Sequence, residues 1–192
     1  MNPVLFLDFD GPLFPDRVIR HGPHISSYPG STSFHPHVSY WEMDVTSVRQ
    51  LNSLYKIFPF DTVVSSSWKN FTTVDQVVDL FSVNGLNLHL HQDWCTPYNF
   101  TNHRSHEIAG WLYGYTQNNI CPDHIILDDP WSGATLDGGV HKLLKFNEPL
   151  FINPDVGIDS DVYNIMLKKV TKWANDVDSH KFYRGVDSLV EF

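Results

Sequence analysis

Residues 4 to 11, Val-Leu-Phe-Leu-Asp-Phe-Asp-Gly, constrain this chain more than any other stretch: four apolar residues in a row end in two carboxylates and a glycine. A strand without polar alternation from Val4 to Leu7 has no solvent face, which predicts an interior parallel strand covered on both sides. Side chains alternate along a strand, so Asp8 and Asp10 fall on one side with Phe9 opposite, until Gly11 releases the backbone into a turn. Two like charges at the mouth of a parallel sheet suggest a cation. A lone Asp-x-Asp-Gly is also how a strand runs out into a polar loop, so the reading depends on what other segments bring to the same place.

The remaining segments alternate in kind. Pro12 to Tyr40 is rich in Pro, Gly, Ser, His and aromatics and has no helical periodicity; a stretch this long is a functional loop or carries its own hairpin, and residues 12–43 are read as a flap or loop insertion. Val45, Val48, Leu51, Leu54 and Tyr55 recur at helical spacing over Asp44 to Phe58, behind an Asp44 cap. Asp61 to Ser66 is a β-branched strand ending in hydroxyls, and Val74 to Phe81 a helix capped by Thr72 or Thr73 and stopped at Asn84-Gly85. Leu86 to Leu90 alternates as a third strand. A turn at Thr96-Pro97 leads to a helix from Arg104 to Tyr115 with Ile108, Trp111, Leu112 and Tyr115 on its buried face. His124 to Asp129 is again an apolar run ending in paired carboxylates. Residues 130 to 148 read as a Gly-rich loop with one helical turn near His141 to Lys145, and Pro149 to Ile152 as a short strand. Ser160 to Trp173 is a helix with Val162, Ile165, Met166, Val170 and Trp173 inward. The tail, 176–192, is ambiguous; Ser188 to Phe192 is an edge strand or an interface segment.

This order predicts a three-layer, Rossmann-like α/β fold, a doubly wound and mostly parallel sheet with helices on both faces. The 192 residues suffice for one domain with a sizeable core. Ligands of such sheets bind beyond the carboxyl ends of the strands. Asp8, Asp10, Ser66, Asp128 and Asp129 all fall at those ends, which lifts the opening motif above a polar loop.

Charge narrows the partners. A net charge of −9, from 22 acidic against 13 basic residues, argues against a protein that coats nucleic acid through its phosphates, although a local basic pocket remains open. Cys95 and Cys121 form no disulfide scaffold or zinc-binding spacing, which suggests a reducing compartment. Met1 leads straight into a strand and no apolar run approaches a membrane span, so a cytoplasmic protein with no membrane partner is expected. The pairs His35/His37 and His89/His91 are read as polar surface or satisfied histidines rather than metal ligands.

Four converging carboxylates repel one another and lose solvation unless a cation neutralises them. All-oxygen ligation in an open site favours Mg²⁺, and a phosphate would complete its shell. Asp8 is then a candidate nucleophile toward phosphorus, and Asp10 a general acid and base for the leaving oxygen and for water. Ser66 offers a hydroxyl and an N–H to phosphoryl oxygens. Arg104, at a helix start, is the chosen cationic partner; Lys69 is either a second phosphate ligand or a surface charge. Asp128 and Asp129 hold the metal, one directly and one through water.

Asp8-Phe9-Asp10-Gly11, the strand-terminal Ser66, a basic residue ahead of Ile-x-x-Trp-Leu, and Ile-Leu-Asp128-Asp129 resemble the four ordered motifs of the haloacid dehalogenase-like (HAD) phosphohydrolases. More narrowly, Ser65-Ser66-Ser67-Trp68-Lys69, Thr96-Pro97, Arg104-Ser105-His106-Glu107-Ile108 through Trp111-Leu112, and Gly157-Ile158-Asp159 are similar to the small HAD domains of Swiss Army knife RNA-repair proteins. The resemblance implies an aspartyl-phosphate formed on Asp8, with Asp10 as acid/base and its backbone carbonyl on Mg²⁺. It places Ser66 and its neighbour Ser67 at the phosphate, and makes Asp128 the metal carboxylate supported by Asp129. Arg104 falls where most members carry lysine, and an arginine does not orient a nucleophile as a compact ammonium does. The short insertions imply an open site with a flap and no large cap. Such a site suits a nucleotide or a nucleic-acid end, with Phe14, Phe34, Tyr40, Trp41 and Trp131 as loop aromatics that stack on a base or anchor the loops. The expected function is a Mg²⁺-dependent phosphatase acting on a nucleotide or nucleic-acid terminal phosphate; the alternative is a non-catalytic nucleotide-binding protein using the same cavity. Dehalogenase chemistry is weaker, because Asp10 supplies the acid/base a phosphatase needs.

Overall fold

A computed structural model of the protein describes residues 2–16, 18, 24–25, 40–98, 104–116, 122–130 and 149–187. Its centre is β1 (Val4–Leu7), flanked by β4 (Asp61–Val64) and β6 (His124–Asp128), with β5 (His89–Cys95) and β7 (Leu150–Phe151) at the two edges. All pairings in this five-stranded sheet are parallel. The expected three-layer α/β architecture is what the chain adopts.

The unbroken apolar run of β1 follows from its place between two helical layers. Leu5, Leu7 and Phe9 enter the larger core with α1 (Val45–Ile57), α2 (Val74–Val83) and α4 (Ser160–Asp187). Val4 and Phe6 face the opposite side, where Ile108, Ala109, Trp111 and Leu112 of α3 (Arg104–Thr116) cover them together with Val63 and Ile126. Parity along the strand therefore assigns Asp8 to the α3 side, with Phe6, and Asp128 to the same side, with Ile126.

The helix starts are chemically explicit. Asp44 caps α1 by accepting from the Ser47 amide at 2.9 Å, and Thr73 rather than Thr72 caps α2, in a capping box with Gln76. Gly85, at φ +68°, ends α2 in the left-handed region. Between β1 and α1, β2 (His24–Ile25) and β3 (Tyr40–Trp41) form an antiparallel pair; the described residues of this insertion hold no large cap.

Several boundaries differ from expectation. The third strand is displaced from 86–90 to His89–Cys95, because Leu86 closes the α2 terminus through its amide to the Phe81 carbonyl at 2.8 Å and drops into the core. The last helix runs on to Asp187, through most of the ambiguous tail. Ile165 and Val45, expected inward, are exposed on the outer faces of α4 and α1. Phe14 is no loop aromatic open to a base: it is fully buried and stacks on Trp68, with centroids 4.9 Å apart and planes at 6°. The turn near 141–145, the segment 188–192, and the side chains of Phe34, Tyr40, Trp41 and Trp131 lie outside the described residues. Among the described residues no helix is long and apolar enough to cross a membrane.

Candidate active site

The register of the sheet assembles the acidic group. Leu7 pairs with Leu127, and the Asp8 amide donates to the Leu127 carbonyl at 2.9 Å, so Asp8 and Asp128 emerge as adjacent rungs on one face. Both are buried, Asp8 at 2% and Asp128 at 0% exposure. With Asp129 they form a group in which one oxygen from each lies within 4.8 Å of the others. Gly11, at φ +84°, lets the turn after Asp10 pass beside this group; a Cβ there would stand 3.3 Å from Cβ of Asp129.

Arg104 opens α3 directly over these strand ends. Its Nη2 stands 3.9 Å from Oδ1 of Asp8 and its Nε 3.4 Å from Oδ2 of Asp128. Burial pushes the Asp8 carboxyl up, against the pull of the Arg104 guanidinium, of a proton shared with Asp128, and of hydrogen bonds from Ser66 and the Phe9 amide. A carboxyl that burial drives toward neutrality, next to two others, is a site short of positive charge. Hard oxygen donors in this arrangement fit Mg²⁺, and Asp8, Asp128 and Asp129 are the residues whose side chains would hold it.

Asp10 stands apart from that group. Its carboxylate accepts from the Trp68 indole N–H, at 3.2 Å to one oxygen and 3.3 Å to the other. Burial first, and then the charge of Asp8, push it up to about 6, while the Trp68 bond holds it down. An acid of that strength exchanges a proton near neutrality.

Ser66 is fully buried at the end of β4 and caps a 3-10 turn, Ser67–Asn70, that carries Trp68 and Lys69. Ser67 is exposed and Ser66 is not. Lys69 is not a solvated surface charge: its side chain is only 4% exposed. It is held instead by Glu107 at 2.5 Å and Thr96 at 2.8 Å, and burial lowers its pKa against the pull of Glu107. Ser66, Arg104, Asp8, Asp10, Asp128 and Asp129 thus meet at one sheet edge, with Lys69 behind Arg104.

Trp68, Thr96 and Glu107 acquire positions that sequence reasoning did not assign them. The signal for Glu107 was its spacing, three residues after Arg104 on one helix face; for Trp68 and Thr96 the contacts are purely tertiary. His35 and His37 lie outside the described residues, while His89 and His91 are held by polar partners. His89 pairs with Asp61, and His91 accepts from the Asp93 amide at 2.9 Å against the Trp111 ring.

A family model described as the HAD domain in Swiss Army Knife RNA repair proteins matches residues 4–158, from β1 to just before α4. No curated protein and no solved structure matches the chain.

Proposed function

Because this chain belongs to the family of HAD domains in Swiss Army Knife RNA repair proteins, we propose that it is a Mg²⁺-dependent phosphatase acting on a nucleotide or nucleic-acid terminal phosphate. The observation that carries this reading is the placement of the Arg104 guanidinium against both Asp8 and Asp128 at the carboxyl edge of a parallel sheet. Phosphoryl transfer needs an in-line oxygen nucleophile and fixed positive charge on the transferring oxygens.

In this reading an Asp8 oxygen forms a bond to phosphorus as the bond to the leaving oxygen breaks. Asp10, which is half protonated near pH 6, gives its proton to that leaving oxygen. A water then attacks the phosphorus of the aspartyl-phosphate, passing its proton to Asp10, and the Asp8–phosphorus bond breaks to release inorganic phosphate. Arg104 and the buried Ser66 hydroxyl face the phosphoryl oxygens. Mg²⁺, when bound, supplies charge neutralisation at the phosphate and at the acidic group. The described residues of the insertion after β1 hold no large cap, which supports a large substrate, a nucleotide or a strand end, over a small metabolite.

The test is release of inorganic phosphate from a panel of nucleotides and 5′- or 3′-phosphorylated oligonucleotides. Activity is expected with Mg²⁺ and its loss with EDTA or in Asp8→Asn. Turnover that survives Asp8→Asn sinks the nucleophile. Tight nucleotide binding with no product decides instead for the non-catalytic reading, which the arginine at position 104 favours.

A further inference from the structure

Glu107 is a buried carboxylate that the reaction outlined above does not use. It sits on the first turn of α3, 8% exposed, and one of its oxygens collects three donors. Lys69 Nζ stands at 2.5 Å, Arg104 Nη1 at 3.2 Å and Thr96 Oγ1 at 3.4 Å. Lys69 donates to Thr96 as well, at 2.8 Å. The cluster is dry: the side chains of Lys69, Glu107 and Arg104 are 4%, 10% and 10% exposed.

A guanidinium offers donors on separate edges, and its strongest pairing with a carboxylate is the bidentate one. Arg104 does not make that pairing with Asp8. Its Nη2 stops at 3.9 Å from Oδ1, beyond hydrogen-bond distance, while Nη1 is occupied by Glu107. A guanidinium closed on Asp8 would tie up the oxygen that has to attack and the N–H groups that have to meet the phosphate. Lysine cannot close in this way, having no fork; an arginine at this position needs something to hold it back.

We propose that Glu107 is a positioning residue that anchors Arg104 through Nη1, keeping the guanidinium off the Asp8 nucleophile so that Nη2, with Nε on the Asp128 side, is left for the phosphate. Lys69 neutralises Glu107 from the far side, so that the anchor adds no net negative charge beside Asp8 and Asp128. Lys69 therefore supports the anchor and is not a phosphate ligand. The inference rests on the phosphatase reading for its purpose, and its test reads phosphate affinity separately from turnover.

Binding of inorganic phosphate to the full chain is measured by calorimetry, with Mg²⁺ and with EDTA, alongside phosphate release from the best substrate. Glu107→Gln, which keeps the shape and removes the charge, is expected to weaken phosphate binding by about tenfold or more and to lower kcat by at least that factor. In an Arg104→Met background the same substitution is expected to cost less than about twofold further, because it acts through Arg104. Glu107→Asp, which keeps the charge, is expected to recover part of both losses and guards against a Gln variant that fails to fold. Lys69→Met is expected to weaken binding less than Glu107→Gln does. Full affinity in Glu107→Gln, an undiminished effect in the Arg104→Met background, or a larger loss in Lys69→Met overturns the assignment. If wild type binds phosphate but hydrolyses no ester, the phosphatase reading fails while the affinities still decide the anchor; no phosphate binding by wild type overturns the anchor, and no phosphate release from any ester besides overturns the phosphatase reading as well.

Discussion

Trp68 aims its indole N–H between the two carboxylate oxygens of Asp10, at 3.2 and 3.3 Å, and is itself clamped by a parallel stack on Phe14 and an edge contact with Phe9. The bond favours the ionised form of Asp10, against burial and the charge of Asp8. Trp68→Phe keeps an aromatic ring in the stack and removes the donor. The Asp10 carboxyl is expected to titrate above the wild-type value of about 6, followed by carboxyl ¹³C NMR of the metal-free protein. An unchanged or lower midpoint would contradict the role given to the indole.

Asp10 also makes the metal-free fold pH-dependent. Its pKa is raised on folding, from 3.8 to about 6, so its contribution is most favourable below pH 4, where both states are protonated, and is lost as pH rises through 6. Asp10→Asn removes that loss. In EDTA at pH 7.5 the variant is expected to be more stable than wild type by about 1–3 kcal/mol, and the gain to shrink toward zero near pH 4. Thermal unfolding at the two pH values checks this, and a gain independent of pH would exclude the carboxyl as its source.

Arg104 faces Asp8 and Asp128 in a dry setting. Arg104→Met leaves those carboxyls without their cation, and the metal-free protein is expected to lose about 3–5 kcal/mol at neutral pH. Acidification should restore part of the loss, since protonated carboxyls need no counter-charge. Urea denaturation at pH 5 and pH 8 measures both; a cost below about 1 kcal/mol would place the pair among solvent-screened ones.

Mg²⁺ is expected to stabilise the fold by binding it and not the unfolded chain. At a hundredfold excess over Kd the gain is about 2.7 kcal/mol, or roughly 5–10 °C in Tm for a chain of this size. The shift should vanish in Asp128→Asn, whose carboxylate is fully buried in the acidic group. Equal shifts in wild type and variant would move the cation elsewhere.

The strand ends were legible in the sequence because their cause is local. An apolar run ending in aspartate reads the same in a string as in a sheet, and β1 and β6 needed only that. The third strand was misplaced because Leu86, Leu88 and Leu90 mimic strand alternation while Leu86 is spent on closing α2. Arg104 was found from its place at a helix start, but Glu107 and Thr96 were not given roles, since nothing in one dimension brings residue 69 beside residues 96 and 107. Phe14 illustrates the same limit: in the string, stacking on a base and anchoring its loop stay open together, and only the packed Trp68 ring decides for the anchor.

The β1–β6 register has one more implication. Leu7 opposite Leu127 sets Asp8 beside Asp128, and a slip of one residue would turn Asp128 to the far side of the sheet. These two strands meet across most of the chain, so their pairing closes a long loop and belongs among the slower folding events. On the phosphatase reading, turnover would be a proofreading mark on the fold: in a refolding experiment, any recovered phosphate release would count only those molecules whose distant strands have joined in the correct frame.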